Sequence, residues 1–141
     1  MILIVLHTKT ANMRKIFFLF LLFASLNSYA QKTSFADSVF NYICEVGIKH
    51  PNIVMRQAIV ETGWFKSNFL MSRNNLFGFR AKNYLIFKTW KESVVYYKNW
   101  QEKRYTNMNE DYYTFLVRIK YATASGYTAY LKKIKFNKNC Q

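Results

Sequence analysis

Glu61 is the residue of this sequence whose surroundings are least expected for its type. It follows the apolar run 58–60 and lies three residues before Trp64. Loss of hydration raises the pKa of a carboxyl group in such a place, and a glutamic acid that keeps its proton can donate it to a glycosidic oxygen. Glu61 is therefore our candidate general acid. The alternative is a glutamate that caps a helix end or forms an ion pair there.

Glycoside cleavage commonly uses a second carboxylate, at about 5 Å as nucleophile or at roughly 6.5 to 9.5 Å as base. The sequence has seven acidic residues, and none lies between Glu61 and Glu92. Glu92 is the next candidate, but it ends a capping box that begins at Thr89, and we favour this structural role. The acetamido oxygen of an N-acetylated sugar can replace the second carboxylate. Tyr121 could orient that group.

The cysteines and histidines do not predict a metal site. His50 stands alone and His7 lies far upstream, so no spacing resembles a zinc motif, and we expect no metal and no cofactor. Cys44 and Cys140 could form a disulfide in an oxidising compartment or remain two separate thiols, and the sequence leaves both open.

The elements that must position these residues are mostly helical. Apolar spacing and capping residues predict helices over 34–46, 51–62, 89–104 and 111–119, with a fifth starting at Ser125. Short aromatic and branched runs at 76–80 and 84–87 predict one small β-hairpin. The expected fold class is α+β, mostly α, with four to five helices and one short β-hairpin around a single core.

The first thirty residues predict a signal peptide, with translation starting at Met13. A basic pair, Arg14 and Lys15, precedes an apolar run over 16–26, and small residues follow at 28–30. The run is too short for a transmembrane helix, so we expect no stable membrane anchor and an exported, periplasmic or extracellular protein. The catalytic domain is then residues 31–141.

Basic residues dominate the charge of the domain. Without residues 1–30 the chain retains 18 basic and seven acidic residues, a net charge of +11. In an exported protein, the anionic partners are cell-wall polymers and lipid head groups rather than nucleic acid. A solubilised surface with a basic tail at 132–138 explains the charge equally well.

Four segments occur in an order typical of one enzyme family. HPNIVMRQAIVETGWFKSNF, NNLFGFR, FKTWKESVVYY and YATASGYTAYL together resemble the bacterial glucosaminidase domain of glycoside hydrolase family 73, over about residues 36–134. The resemblance implies a lysozyme-like fold with a groove between two lobes. It also implies cleavage of the β-1,4 bond between N-acetylglucosamine and N-acetylmuramic acid.

The same resemblance assigns roles to particular residues. Glu61 takes the general-acid position, and Tyr121 resembles the active-site tyrosine of the family. The expected substrate-binding residues are Trp64, Asn74, Asn75, Phe77, Gly78 and Tyr121. Many relatives have a longer β-lobe with a second candidate glutamate, which this short hairpin lacks. Relatives also usually have an acidic residue soon after the serine of the W-x-E-S segment, and this sequence has Tyr96 at that position.

We therefore expect an exported, monomeric peptidoglycan hydrolase that acts on glycan strands. Two other classes remain open on the sequence alone. One is a non-catalytic peptidoglycan-binding protein with a degenerate lysozyme-like fold. The other is a basic membrane-active or nucleic-acid-binding protein, which rests on charge and aromatic content only.

Overall fold

Six helices form the part of the chain that the computed structural model describes, residues 34–141. The predicted signal peptide, 1–30, lies outside the described residues. The helices are α1 (Phe35–Glu45), α2 (Pro51–Thr62), α3 (Asn68–Met71), α4 (Trp90–Arg104), α5 (Tyr112–Arg118) and α6 (Tyr127–Lys133). None of the described helices is long and apolar enough to cross a membrane.

Capping residues set the helix starts. The side chains of Ser34, Thr89 and Asp111 accept hydrogen bonds from backbone N–H groups in the first turns of α1, α4 and α5. These groups have no partner within the helix, so each cap stabilises the start that the sequence predicts. The short helix α3, capped by Ser67, was not predicted, and α6 begins at Tyr127 rather than Ser125.

The predicted β-hairpin is reduced to a turn with one isolated bridge, Arg80 to Tyr84, and no strand occurs in residues 34–141. The physical reason lies in the side chain of Asn75. Its Nδ2 donates to the carbonyl oxygens of Phe79 and Leu85, at 2.8 and 3.0 Å, and its Oδ1 accepts from the Phe79 N–H. These bonds use backbone groups that a longer ladder would need. The mostly helical class is confirmed, whereas the hairpin is not formed.

A buried chain of polar side chains joins α2, α4 and α5 behind the apolar core. The Tyr97 hydroxyl donates to Gln57 Oε1 at 2.6 Å and accepts from the Tyr112 hydroxyl at 2.7 Å. Gln101 Nε2 donates to the Tyr112 hydroxyl at 2.8 Å. Buried polar groups are costly without partners, so this chain favours one arrangement of the three helices. It thereby fixes α2, which carries Glu61 one turn after Gln57.

The C-terminal tail returns to the first two helices. A disulfide joins Cys44 on α1 to Cys140, which decides between the two alternatives that the sequence left open. The Arg56 guanidinium on α2 donates to the Phe136 carbonyl through both Nε and Nη2, at 3.1 and 2.9 Å. Asn52 on α2 exchanges hydrogen bonds with the backbone of Lys138. The tail therefore clamps α1 and α2 together.

Candidate active site

An open cleft of about 670 Å³ has Glu61 in its wall. The end of α2, the turn after α3, α4, the segment after α5 and the start of α6 all contribute to it. The lining residues are Val60, Glu61, Phe77, Gly78, Phe79, Arg80, Tyr84, Trp100, Arg104, Ile119, Lys120, Tyr121, Ala122, Thr123, Ala124 and Tyr127. Glu61 is the sole carboxylate in that set.

Glu61 lies in the last turn of α2, where its carboxyl group is largely removed from solvent. Burial raises its pKa above the ordinary glutamate value, because loss of hydration disfavours the charged form. A hydrogen bond from the Tyr127 hydroxyl to Glu61 Oε1, 2.9 Å long, lowers the pKa in part, and burial is the larger effect. The net result is a carboxyl group that keeps its proton to a higher pH than an exposed glutamate does.

Tyr127 fixes which oxygen of Glu61 can carry the proton. Burial and the neighbouring Glu61 raise the pKa of Tyr127, so its hydroxyl stays protonated and acts as the donor in this bond. With Oε1 accepting from Tyr127, the proton of the neutral acid belongs on Oε2. Sequence reasoning missed this contact, because Tyr127 lies 66 residues from Glu61 and no local signal links the two.

Removing the Tyr127 hydroxyl should change the pH dependence of catalysis. Since the hydrogen bond lowers the Glu61 pKa, Tyr127→Phe should raise it, and the alkaline limb of the pH profile of kcat should move to higher pH. The lost alignment should also lower the maximum kcat by about tenfold, as for one hydrogen bond to a charged group. The matched control is Tyr130→Phe, on the same helix and 55% exposed. Coincident alkaline limbs for Tyr127→Phe and the wild type would refute this role.

Gly78 brings backbone against the other oxygen of Glu61. Its φ is +64°, a conformation that side chains rarely adopt, and a Cβ placed there would lie 2.8 Å from Glu61 Oε2. That separation is too short for non-bonded atoms, so any larger residue would displace the carboxyl group. Gly78, predicted from the resemblance, lines the cleft beside the oxygen that would carry the proton.

Gly78→Ala should therefore impair catalysis more than folding. The methyl group would push Oε2 away from its position, and a displacement of about 1 Å can cost about 100-fold in rate. Gly47→Ala is the matched control, because Gly47 also has positive φ (+75°) but nothing lies within 4 Å of its added Cβ. Measured kcat should fall only for Gly78→Ala, while both variants lose similar melting temperature. Equal kcat values in the two variants would argue against the contact.

Tyr121 lines the cleft next to Tyr127. The two rings stack with centroids 5.8 Å apart, and the Tyr121 hydroxyl donates to the Phe77 carbonyl at 2.9 Å. Because its only proton is used in this hydrogen bond, the hydroxyl oxygen can accept another hydrogen bond but cannot donate one. The side chain of Phe77 is buried in the core, with 2% of its surface exposed. Phe77 therefore contributes mainly its backbone to the cleft wall.

The side chains of Asn74 and Asn75 form hydrogen bonds within the loop that follows α3. Asn74 Nδ2 donates to the carbonyl oxygens of Phe87 and Lys88, both at 3.0 Å, and the amide of Asn75 holds the turn described above. Neither asparagine lines the cleft. The structure places both as supports of the cleft wall, and their contact with substrate stays a prediction from the resemblance.

Trp64 and Glu92 lie outside the cleft. Trp64 is 52% exposed, just beyond the end of α2, and is not among the lining residues. Glu92 Oε2 accepts from the Lys88 N–H at 2.9 Å, and Thr89 Oγ1 accepts from the Glu92 N–H at 3.3 Å. Thr89 therefore caps the helix as predicted, whereas Glu92 binds the N–H of Lys88 rather than that of Thr89, so only half of the predicted capping box is formed. No group of three or more His, Cys, Asp or Glu able to hold a metal ion occurs in residues 34–141.

Three cations face the same cavity and were not singled out from the sequence. Arg80, Arg104 and Lys120 line the cleft, and none of them forms an ion pair among the described residues. The Arg104 guanidinium lies 5.4 Å from the ring centroid of Trp100, another lining residue. No spacing in the sequence links these positions, since they come from different elements. The cleft is therefore positively charged around one buried acid.

Comparison with known proteins identifies the family. The sequence profile of the glucosaminidase domain, described as mannosyl-glycoprotein endo-beta-N-acetylglucosaminidase, matches residues 36–139. No curated protein and no solved structure matches the chain with significance. The match confirms the resemblance seen in the four sequence segments and implies a glycosidase with a glycan substrate. Because it covers most of the chain and every wall of the cleft, this chain belongs to the glucosaminidase family.

Proposed function

We propose that this chain is an exported peptidoglycan hydrolase that cleaves the β-1,4 bond between N-acetylglucosamine and N-acetylmuramic acid. Glu61 is the general acid. The observation that carries the proposal is a buried carboxyl group of raised pKa in the wall of an open cleft, in a chain of the glucosaminidase family. A protonated carboxyl group beside a glycan supplies what the departing glycosidic oxygen needs.

The first step of the proposed reaction uses the proton on Glu61 Oε2. As the bond between the anomeric carbon and the glycosidic oxygen breaks, this oxygen takes the proton from Glu61, which becomes a carboxylate. The hydrogen bond from Tyr127 to Oε1 stabilises the charge that develops. At 2.9 Å from Oε1, the Tyr127 hydroxyl is at hydrogen-bond distance from the group on which the charge develops.

The second catalytic role belongs to the substrate in this proposal. Glu61 is the only carboxylate among the residues that line the cleft, so the lining offers no second carboxylate as nucleophile or base. The acetamido oxygen of the sugar attacks the anomeric carbon, and water then opens the resulting ring with the Glu61 carboxylate as base. The Tyr121 hydroxyl oxygen can accept a hydrogen bond from the acetamido N–H and thereby orient the group. The anomeric configuration is retained.

Export and a monomeric state are part of the proposal. The pattern of residues 1–30 favours secretion. The disulfide between Cys44 and Cys140 is of the kind that persists outside the reducing cytoplasm. The net charge of the domain suits a wall rich in anionic polymers.

The test is mass spectrometry of a peptidoglycan digest after reduction with borohydride. A glucosaminidase should release fragments whose reduced ends are N-acetylglucosaminitol. Ends of N-acetylmuramitol would instead identify a muramidase and refute the bond specificity. Binding to insoluble peptidoglycan without any released fragment would favour the non-catalytic alternative, for which the lone carboxylate of the cleft is the supporting observation.

A further inference from the structure

A second cavity of about 470 Å³, which we call the side pocket, adjoins the cleft. Arg73, Arg80, Lys82, Phe69, Tyr84 and Ile86 line it. Arg80 and Tyr84 also line the cleft, so the two cavities share a wall. A polymer held in the cleft can therefore place a substituent in the side pocket.

The charge of the side pocket is entirely positive. Arg73, Arg80 and Lys82 contribute three cations, and none of them forms an ion pair among the described residues. No acidic residue occurs in the sequence between Glu61 and Glu92, so no carboxylate of this segment neutralises them. Unpaired guanidinium and ammonium groups in a shared concavity favour a carboxylate or phosphate partner.

The other half of the side pocket is apolar and unusually exposed. Phe69, Tyr84 and Ile86 expose 49%, 38% and 74% of their surfaces. The rings of Phe69 and Tyr84 meet edge to face, with centroids 5.1 Å apart. A fitting partner thus combines negative charge with small apolar groups.

Contacts within the chain hold the Arg73 side chain and the loop that carries Lys82. The Arg73 guanidinium lies 3.8 Å above the Phe69 ring, and its Nη1 donates to the Phe69 carbonyl at 2.9 Å. The loop that carries Lys82 is tied down at both ends, because Asn75 bonds the carbonyl oxygens of Phe79 and Leu85. Such preorganisation reduces the entropy lost on binding.

We propose that the side pocket binds the carboxylate-bearing peptide substituent of the glycan strand held in the cleft. This inference rests on the proposed function, since it takes peptidoglycan as the polymer in the cleft. The sugars of that polymer offer hydroxyl and amide groups, whereas its short peptides offer carboxylates and methyl side chains. The side pocket has a counterpart for each of the latter, and the shared Arg80 lies between the two cavities.

The test compares peptidoglycan with glycan strands from which an amidase has removed the peptides and in which the lactyl carboxylates that this exposes have been converted to amides. The wild-type chain should show a lower KM for the peptide-bearing polymer, and the advantage should shrink as salt rises. Arg73→Gln and Lys82→Gln together should remove the advantage, raising KM for that polymer by about fivefold, a typical value for exposed charge pairs. Hydrolysis of the peptide-free glycan should not change, because neither residue lines the cleft.

Two single variants guard against trivial explanations. Lys82→Gln alters an exposed side chain and should show part of the effect even if Arg73→Gln disturbs α3. Lys133→Gln removes one charge on α6, outside both cavities, and should leave both KM values unchanged. Equal KM values for the two polymers, or an equal effect of Lys133→Gln, would overturn the proposal in favour of general attraction to anions.

Sedimentation of Glu61→Gln with the two polymers separates this inference from the proposed function. Preferential retention on the peptide-bearing polymer, lost in Lys82→Gln, supports the side pocket even if the wild type releases no fragments. Hydrolysis of both polymers without such a preference would refute the side pocket and leave the proposed function intact.

Discussion

Glu61→Gln should lower the rate of peptidoglycan hydrolysis by about 10² to 10⁴-fold, the range typical of losing a general acid. Glutamine keeps the size and the hydrogen-bonding oxygen of the side chain, so the bond from Tyr127 can persist. The amide N–H of glutamine is too weak an acid to donate a proton to the glycosidic oxygen. The rate of release of reducing ends, measured on purified peptidoglycan, gives the effect directly.

Two controls make the loss of rate specific to chemistry. Burial raises the pKa of Glu61 in the folded chain, so the stability that its neutral form provides is lost as pH rises through that pKa. Glu61→Gln should therefore melt at an equal or higher temperature than the wild type at neutral pH. Glu92→Gln, changed in a helix cap outside the cleft, should keep nearly full turnover. Full activity in Glu61→Gln, or comparable loss in Glu92→Gln, would contradict the assignment.

Opening the disulfide between Cys44 and Cys140 should have the largest effect on stability. The two cysteines are 96 residues apart, so the bond removes much of the conformational freedom of the unfolded chain. Chain-entropy arguments put a loop of about 100 residues near 4.7 kcal/mol, and measured losses on removing native disulfides are about 2–5 kcal/mol. Urea unfolding with and without a reductant should show a corresponding loss in the free energy of unfolding.

Cys140→Ser is the matched variant for that measurement. It should unfold at the urea concentration of the reduced wild type, and a reductant should not change its midpoint. Since the tail also contacts Arg56 and Asn52 on α2, part of the clamp survives, and the folded variant should still hydrolyse its substrate. Unchanged stability on reduction would show that the hydrogen bonds of the tail, rather than the disulfide, hold α1 and α2 together.

Local signals in the sequence predicted the long helices well. Pro51 and Gly63 bracket α2 as expected of a proline at the first helical position and a glycine at the end. Thr89 caps the start of α4 as predicted, and Glu92 accepts a hydrogen bond from the N–H of Lys88 just before the cap. Each of these signals acts within four residues, so neighbouring residue types suffice to recognise it.

The hairpin could not be judged in the same way. Aromatic and branched residues at 76–80 and 84–87 suit strands, but the outcome depends on where one buried side chain finds partners. Asn75 bonds Phe79 and Leu85 and leaves a single bridge. The missed helix α3 did have a local signal, the cap at Ser67, but it has only four residues and no apolar period to recognise.

The sequence singled out Glu61, which the structure places in the cleft wall, but not the residues that surround it there. Glu61 was recognisable because a charged residue in an apolar run is unusual, and its raised pKa has the expected cause, burial. Tyr127 and the cations Arg80, Arg104 and Lys120 are brought to the cleft by packing between distant elements. Residue types and spacing do not predict such contacts.

The most direct measurement is the titration of the Glu61 carboxyl carbon by NMR, assigned with the Glu61→Gln variant. Glu110 offers an internal reference, because a hydrogen bond from Arg118 lowers the pKa of its carboxyl group. Catalysis by Glu61 as a proton donor requires a titration midpoint above the ordinary glutamate value and well above that of Glu110. A midpoint at or below the ordinary value would show that Glu61 is ionised when substrate binds, and it would contradict its role as the general acid.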